Sequence, residues 1–351
     1  MIRYNNLFDK ITEIDNIKRA HINARKGKTH YREVQMIDQD IDYYAQKIRE
    51  MLIQNQYEVG EYDIITKKVD SGKIRQIYRL AYYPHRIIHH AIMQIMEPIW
   101  KKSFISDTYC CIKGRGIHKA VKKIQDILYK DKENTQYCLK LDIEKFYPSI
   151  DNVIMKVKIR KKIKDKRLLE LLDKIIDSAK GLPIGNYMSQ YLANIYLSDF
   201  DHYCKEQLGI KYYFRYCDDI IFMHADKNQL HHIYLEIRDY LAKNLKLNIK
   251  NNWQIFPIDK RGIDFLGYKF YHSYTLLRKR IAQKGLKLSA QICKKRRINT
   301  REMRSIISYY SWLKHCNALH LKNKIYNDEL YNIIRKWTAE HNIKNPLQGL
   351  I

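Results

Sequence analysis

Residues 212–223 read YYFRYCDDIIFM. Ten of the twelve are aromatic, aliphatic, sulfur-bearing or a single arginine; the other two are adjacent aspartates, Asp218 and Asp219. Neighbouring side chains of a strand point to opposite faces, whereas at the tip of a tight hairpin both can project together. Residues 212–216 and 220–223 make two strand arms, so Cys217-Asp218-Asp219 is predicted to be the tip. Two like charges there repel unless a cation lies beside them. Asp142 has a similar setting, ending the apolar stretch YCLKLDI just before a turn. A few carboxylates completed by substrate phosphates suit Mg²⁺. The competing reading is a plain polar turn.

Strand and helix signals alternate outward from this hairpin. Residues 136–151 read as a strand running into a turn. Residues 181–204 read as a Gly/Pro loop opening an amphipathic helix, and 156–180 as one basic helical stretch. Residues 64–81 form a predicted hairpin turning at Asp70-Ser71-Gly72, and 84–100 a helix with proline at its start. Residues 113–128 and 230–245 are helical, and 261–277 is a hairpin with Gly267 inside a strand. Among residues 1–50, helical periodicity begins at Asp40. Few strands interrupted by helices predict an α+β chain, not a barrel or sandwich. The expected division is a helical extension over 1–50, a main region over 51–275 and a basic helical region over 276–351. That last region holds 17 lysines and arginines against 4 acids, with a dense cluster at Lys294, Lys295, Arg296 and Arg297.

The 351 residues carry a formal charge of +27, and 45% are apolar, which excludes a disordered chain. A field of that sign attracts polyanions, nucleic acid above all. The chain is also rich in Lys, Ile, Asn and Tyr, with 29 tyrosines, so single tyrosines mean less than usual. No apolar run has membrane-spanning length, so no membrane partner is expected. Seven cysteines without a Cys-x-x-Cys motif read as reduced thiols in a cytoplasm. The pairs His89-His90 and His231-His232 lack matched ligand spacing and read as helix-face residues. The charged run 156–167 reads either as a solvated face or as a contact to nucleic-acid phosphates.

LKLDIEKFYPSI, GLPIGNYMSQ, FRYCDDIIF and GIDFLGYKF occur in that order. Together they resemble the palm motifs of reverse transcriptases. GKIRQIYRLAYYPHRIIHHAI and KGRGIHKA resemble the fingers motifs of the bacterial branch, which includes group II introns, retrons and diversity-generating retroelements. The resemblance covers about residues 60–320. It implies a right-hand polymerase with fingers, an antiparallel palm sheet with helices on one face, and a helical thumb. It implies two Mg²⁺ ions, with Mn²⁺ as substitute, held by Asp142, Asp218, Asp219 and the backbone of Ile143. It implies template RNA, a DNA or RNA primer and deoxynucleoside triphosphates as partners. Nucleotide contacts would come from Lys68, Arg75, Phe146, Tyr147, Ile184, Gly185, Gln190 and Lys250. Tyr147 stands where the family keeps an aromatic that excludes a 2′-hydroxyl, and Lys250 where a lysine protonates pyrophosphate. Leu266 and Gly267 match the primer grip.

One departure is informative. Most reverse transcriptases place Gln-Gly near the start of the GLPIGNYMSQ motif and Ser-Pro at its end; here stand Ile184-Gly185 and Ser189-Gln190. That pattern resembles diversity-generating retroelement enzymes. They copy a template-repeat RNA with errors at adenines and work with a small basic oligomeric accessory protein. Loss of a hydrogen-bonding side chain loosens selection, because apolar packing discriminates weakly. Two other readings stay open: a phage-defence or retron-like reverse transcriptase, and a catalytically inactive RNA-binding scaffold.

Overall fold

The computed structural model describes residues 3–68, 72, 74–295 and 297–341. Asp70 and Ser71 of the expected turn, and Arg296 of the basic cluster, lie outside the described residues. The chain divides into two compact units. One comprises residues 1–115, 141–220 and 232–253; the other comprises 116–140, 221–231 and 254–351.

The first unit opens with four helices, α1 (Phe8–Thr12), α2 (Ile14–Ala24), α3 (Arg32–Gln39) and α4 (Ile41–Ile53). Only the last was legible as a helix, because the others are short and broken by extended residues such as Glu13. Asp40 starts α4 by accepting from the Tyr43 amide at 3.0 Å, which satisfies one of the orphan donors of a helix start. The hairpin β1 (Asp63–Lys68) and β2 (Ile74–Arg79) follows. Tyr83 is extended, at φ −98° and ψ 134°, and from Pro84 the backbone is helical and runs directly into α5 (Ile87–Lys101), so proline stands at the start of that helix as expected. His89 and His90 are buried in α5, at 2% and 6% exposure. Burial holds both imidazoles far down, at about 3, and therefore neutral.

α6 (Ile117–Lys130) precedes β3 (Tyr137–Asp142) and the short α7 (Phe146–Ser149). The predicted single helix over 156–180 is two, α8 (Asn152–Arg160) and α9 (Lys166–Asp177). Asp165 separates them: it caps α9 through the Leu168 amide and also accepts from the amides of Leu7 and Phe8. The basic run here is neutralised in part. Lys156 pairs with Asp177, Lys158 and Lys161 with Asp199, Arg160 with Asp173 and Arg167 with Asp9.

α10 (Ser189–His202) leads to β4 (Tyr212–Tyr216) and β5 (Asp219–His224), whose two-residue connection makes them an antiparallel hairpin. α11 (Lys227–Leu245), β6 (Gln254–Pro257) and the short α12 (Ile258–Arg261) follow. The sheet order is β4-β5-β3-β6, with β3 antiparallel to β6 in a register that sets Tyr137 opposite Pro257. A second sheet, β7 (Ile263–Phe265), β8 (Tyr268–Phe270) and β9 (Thr275–Leu277), lies in the second unit. Gly267 is not inside a strand. Leu266 and Gly267, at φ +54° and +87°, form the two-residue turn between β7 and β8, the positive-φ pair that a tight hairpin requires. The chain closes with α13 (Lys279–Cys293), α14 (Thr300–Leu313), α15 (Leu319–Ile325) and α16 (Asp328–Glu340). Asn299 and Glu302 form a reciprocal capping box at the start of α14. Among the described residues no helix is long and apolar enough to cross a membrane, and all seven cysteines are free thiols.

Candidate active site

The end of β3 and the β4–β5 tip meet in the first unit. The Ile143 amide donates to the Asp218 carbonyl at 3.2 Å, and the Lys250 amide to the Asp142 carbonyl at 2.9 Å. Cys217 takes a positive φ of +59°, which turns the chain sharply enough to aim Asp218 toward Asp142. The Asp218 carboxyl is pushed above the ordinary carboxylate value, first by burial and then by the negative charge of Asp142. Asp219 begins β5. The Lys250 ammonium lies 2.6 Å from an Asp142 carboxylate oxygen. Two crowded carboxylates, one already holding a cation, are a donor set that fits divalent metal.

A second pair of aspartate contacts explains how this tip is held. Asp201, on α10, and Arg215, on β4, are each fully buried. Arg215 binds Asp201 through two nitrogens, at 2.7 and 2.6 Å. Thr108 and Tyr213 also donate to Asp201. Arg215 then donates to the Cys217 carbonyl at 3.1 Å and to Asn194 Oδ1 at 3.1 Å. The sequence carried one signal of this network: a lone arginine in an otherwise apolar strand needs a buried counter-charge.

A cavity of about 210 Å³ is lined by Arg86, Tyr147, Ile184, Gly185, Asn186, Tyr187, Ser189 and Gln190. It brings together four residues singled out from sequence: Tyr147, Ile184, Gly185 and Gln190. The Tyr147 hydroxyl lies 3.5 Å from Cys217 Sγ, which ties the cavity to the aspartate tip. Phe146 is buried at 2% and packs edge-on against Tyr147, so it supports that ring instead of lining the cavity. Gly185 has φ +128°, and a Cβ there would come within 2.3 Å of the Tyr78 carbonyl oxygen. Only glycine lets the β2 backbone approach this closely. Sequence reasoning missed Tyr187, whose ring stacks on His90 at 3.7 Å; it was indistinguishable among so many tyrosines.

Lys68 and Arg75 are not brought together. The β1–β2 register sets Arg75 opposite Lys67 and Lys68 opposite Ile74. Directly opposed residues share a face and neighbours alternate, so Arg75 and Lys67 stand on one face and Lys68 on the other. Ile77, on the face of Arg75, would meet a Gly185 Cβ at 3.3 Å, so that face is the one turned to the cavity loop.

Leu266 and Gly267 lie in the second unit. A Cβ on Gly267 would come within 2.7 Å of Trp312 and 2.9 Å of Ile281. The close approach that demands glycine is therefore made by this unit's own helices α14 and α13.

The family described as reverse transcriptase (RNA-dependent DNA polymerase) matches residues 65–270. The chain is 25% identical over 254 residues to protein YkfC of Escherichia coli K12, covering 60% of this chain and 65% of that protein. It is 26% identical over 184 residues to the group II intron-encoded protein LtrA of Lactococcus lactis, covering 49% of this chain and 28% of that one. It thus spans less than two thirds of either relative's length. In structure it resembles apo telomerase from Candida tropicalis, with TM-score 0.50 and 13% identity over 81% of this chain and 58% of that one. The fold is the right-hand polymerase fold. With its aspartates at the hairpin tip and more than half of its length matched, the chain belongs to the reverse transcriptase family.

Proposed function

We propose that this chain is an RNA-directed DNA polymerase that copies a template RNA into cDNA, error-prone at template adenines, within a diversity-generating retroelement. One observation carries the finer part of this reading: Ile184, at the motif position where most reverse transcriptases place glutamine, lines one cavity with Tyr147, Gly185 and Gln190 beside the aspartate tip. An apolar wall against the incoming nucleotide offers bulk without a hydrogen bond, and such a wall discriminates weakly.

Asp142 and Asp218, with Asp219 and the Ile143 backbone, would hold two divalent ions, Mg²⁺ by the hardness of the donors. Bound there, the metals supply an activated primer hydroxyl and charge stabilisation on the leaving pyrophosphate. The protein does the rest. Tyr147 stands against the sugar and excludes a 2′-hydroxyl by contact. Arg75, with Lys67 on the same hairpin face, reaches triphosphate oxygens as a charge-assisted donor. Lys250, against Asp142, is placed to give a proton to pyrophosphate. Leu266 and Gly267 position the primer strand. A small basic oligomeric accessory protein completes the assembly.

The test is sequencing of cDNA made on a defined RNA, scored by template base. The wild type should show an excess of errors at adenines, and Ile184→Gln should reduce it by no more than the factor of roughly 10–200 that one contact supplies. No adenine excess in the wild type overturns the retroelement role and favours the defence or retron-like reading. An excess kept in full by the variant removes Ile184 as its cause.

A further inference from the structure

Helix α10 touches two cavities. Ser189 and Gln190, at its start, line the one beside the aspartate tip. Ile195, Ser198, Asp199 and His202, in its later turns, line another of about 570 Å³. The two stretches lie roughly 10–20 Å apart along the helix, at 1.5 Å per residue. The second volume lies in the range of small-ligand sites, and nothing in the polymerase reading uses it.

Its walls combine flat aromatic surface with excess positive charge. Tyr203 and Tyr240 stack at 4.3 Å with 24° between their planes. Trp100 is buried at 1%, and its indole Nε1 has no hydrogen-bond partner, which is unusual for a buried donor. Lys102, Lys158, Lys161 and Lys162 line the cavity, and its only acids are Asp199 and Glu206. Asp199 already takes Lys158 and Lys161, at 2.9 and 2.8 Å. Glu206 is held by His202 at 2.6 Å. Lys102 and Lys162 have no carboxylate partner among the described residues.

We propose that this cavity binds a nucleotide, with its base against the Tyr203–Tyr240 pair and its phosphate on Lys162, which has no carboxylate partner among the described residues. Aromatic faces accept any base, and lysines hold the phosphate. An acidic side chain of a peptide would satisfy the lysines but leave the aromatic wall without use. The nucleotide has two sources, a free mononucleotide or one residue of an RNA strand.

Photocrosslinking of the full chain separates them. The probes are 4-thiouridine monophosphate and a short oligouridylate carrying one 4-thiouridine, both without divalent metal or primer. The readout is therefore independent of polymerisation and stands even if the polymerase reading fails. Crosslinks should map to Tyr203 or Tyr240. Labelling by the monophosphate identifies the free nucleotide as ligand; labelling by the oligonucleotide alone identifies a strand. Lys162→Glu should weaken binding about tenfold, as loss of a phosphate contact does. Lys243→Glu, the same charge change on an exposed part of α11, should weaken it less than about twofold, the long-range share of that change. Crosslinks absent from both tyrosines, or equal losses in the two lysine variants, would overturn the proposal.

Discussion

Two aspartates near one hairpin meet opposite fates. Asp201 is fully buried and fully answered: a two-nitrogen arginine, a threonine and a tyrosine all donate to it. Asp218, at the hairpin tip, is half-buried beside another acid, and its carboxyl is raised by desolvation and by that neighbouring charge. Both lose solvent, so loss of solvent alone does not separate structure from chemistry here. What separates them is whether the protein itself supplies the counter-charge. At Asp201 it does, and the result fixes the Cys217 carbonyl through Arg215. At Asp142, among the described residues, only Lys250 makes an ion pair, and the two carboxylates are a donor set that fits a divalent cation.

The largest expected effect tests the unanswered pair. Asp218→Asn should abolish primer extension on RNA at saturating Mg²⁺ while leaving RNA binding intact. Its stability should match or exceed the wild type in chemical denaturation, because a repelling charge is removed. Near-normal extension would break the assignment of these carboxylates to metal.

The answered pair should behave in the opposite sense. Arg215→Met or Asp201→Leu alone should cost about 3–5 kcal/mol, since each strands a buried charge. The double variant should recover much of that loss, because no unpaired charge is left. Denaturation midpoints decide it. Equal midpoints for wild type and single variants would mean that the network is dispensable.

A smaller effect sharpens the contrast through pH. The raised Asp218 value means that the folded state holds this proton more tightly than the unfolded chain. That contribution is fully present below the unfolded value of about 3.9 and is lost as pH rises through the folded one. The wild type should therefore lose stability relative to Asp218→Asn as pH rises from about 4 toward neutrality. Added Mg²⁺ should close the gap by binding the folded wild type and not the variant. A gap insensitive to both pH and Mg²⁺ would show that Asp218 carries no excess charge energy.

The smallest effect lies one residue layer away. Tyr147→Val should retain polymerisation but admit ribonucleotides, because the ring whose hydroxyl lies 3.5 Å from Cys217 Sγ is no longer there to fill the cavity. Parallel incorporation of deoxy- and ribonucleotides checks this. An unchanged preference would make Tyr147 a packing residue of the tip.

Much of this was legible in sequence for a local reason. Alternating apolar arms around Cys217-Asp218-Asp219 define a hairpin wherever they occur, and the order of the motifs identified the family. Local reading also missed a local signal: Asp165 caps α9 through the Leu168 amide, three residues on, while the contacts that anchor it, from the Leu7 and Phe8 amides, come from 158 and 157 residues away. Gly267 read as a strand glycine because the apolar residues run on through Leu266 without a polar turn residue to mark the reversal.

The sequence by itself determined which residue types were available for chemistry, the hairpin that presents Asp218 and the positive charge that suits a polyanion. Tertiary structure alone decided which charges are answered. Arg215 finds Asp201 from another element, Arg75 shares its hairpin face with Lys67 and not Lys68, and Ile184 joins Tyr147 in one cavity. Pattern along a chain encodes which face a side chain occupies, but Coulomb and contact energies depend on distances between chain segments, and only folding sets those.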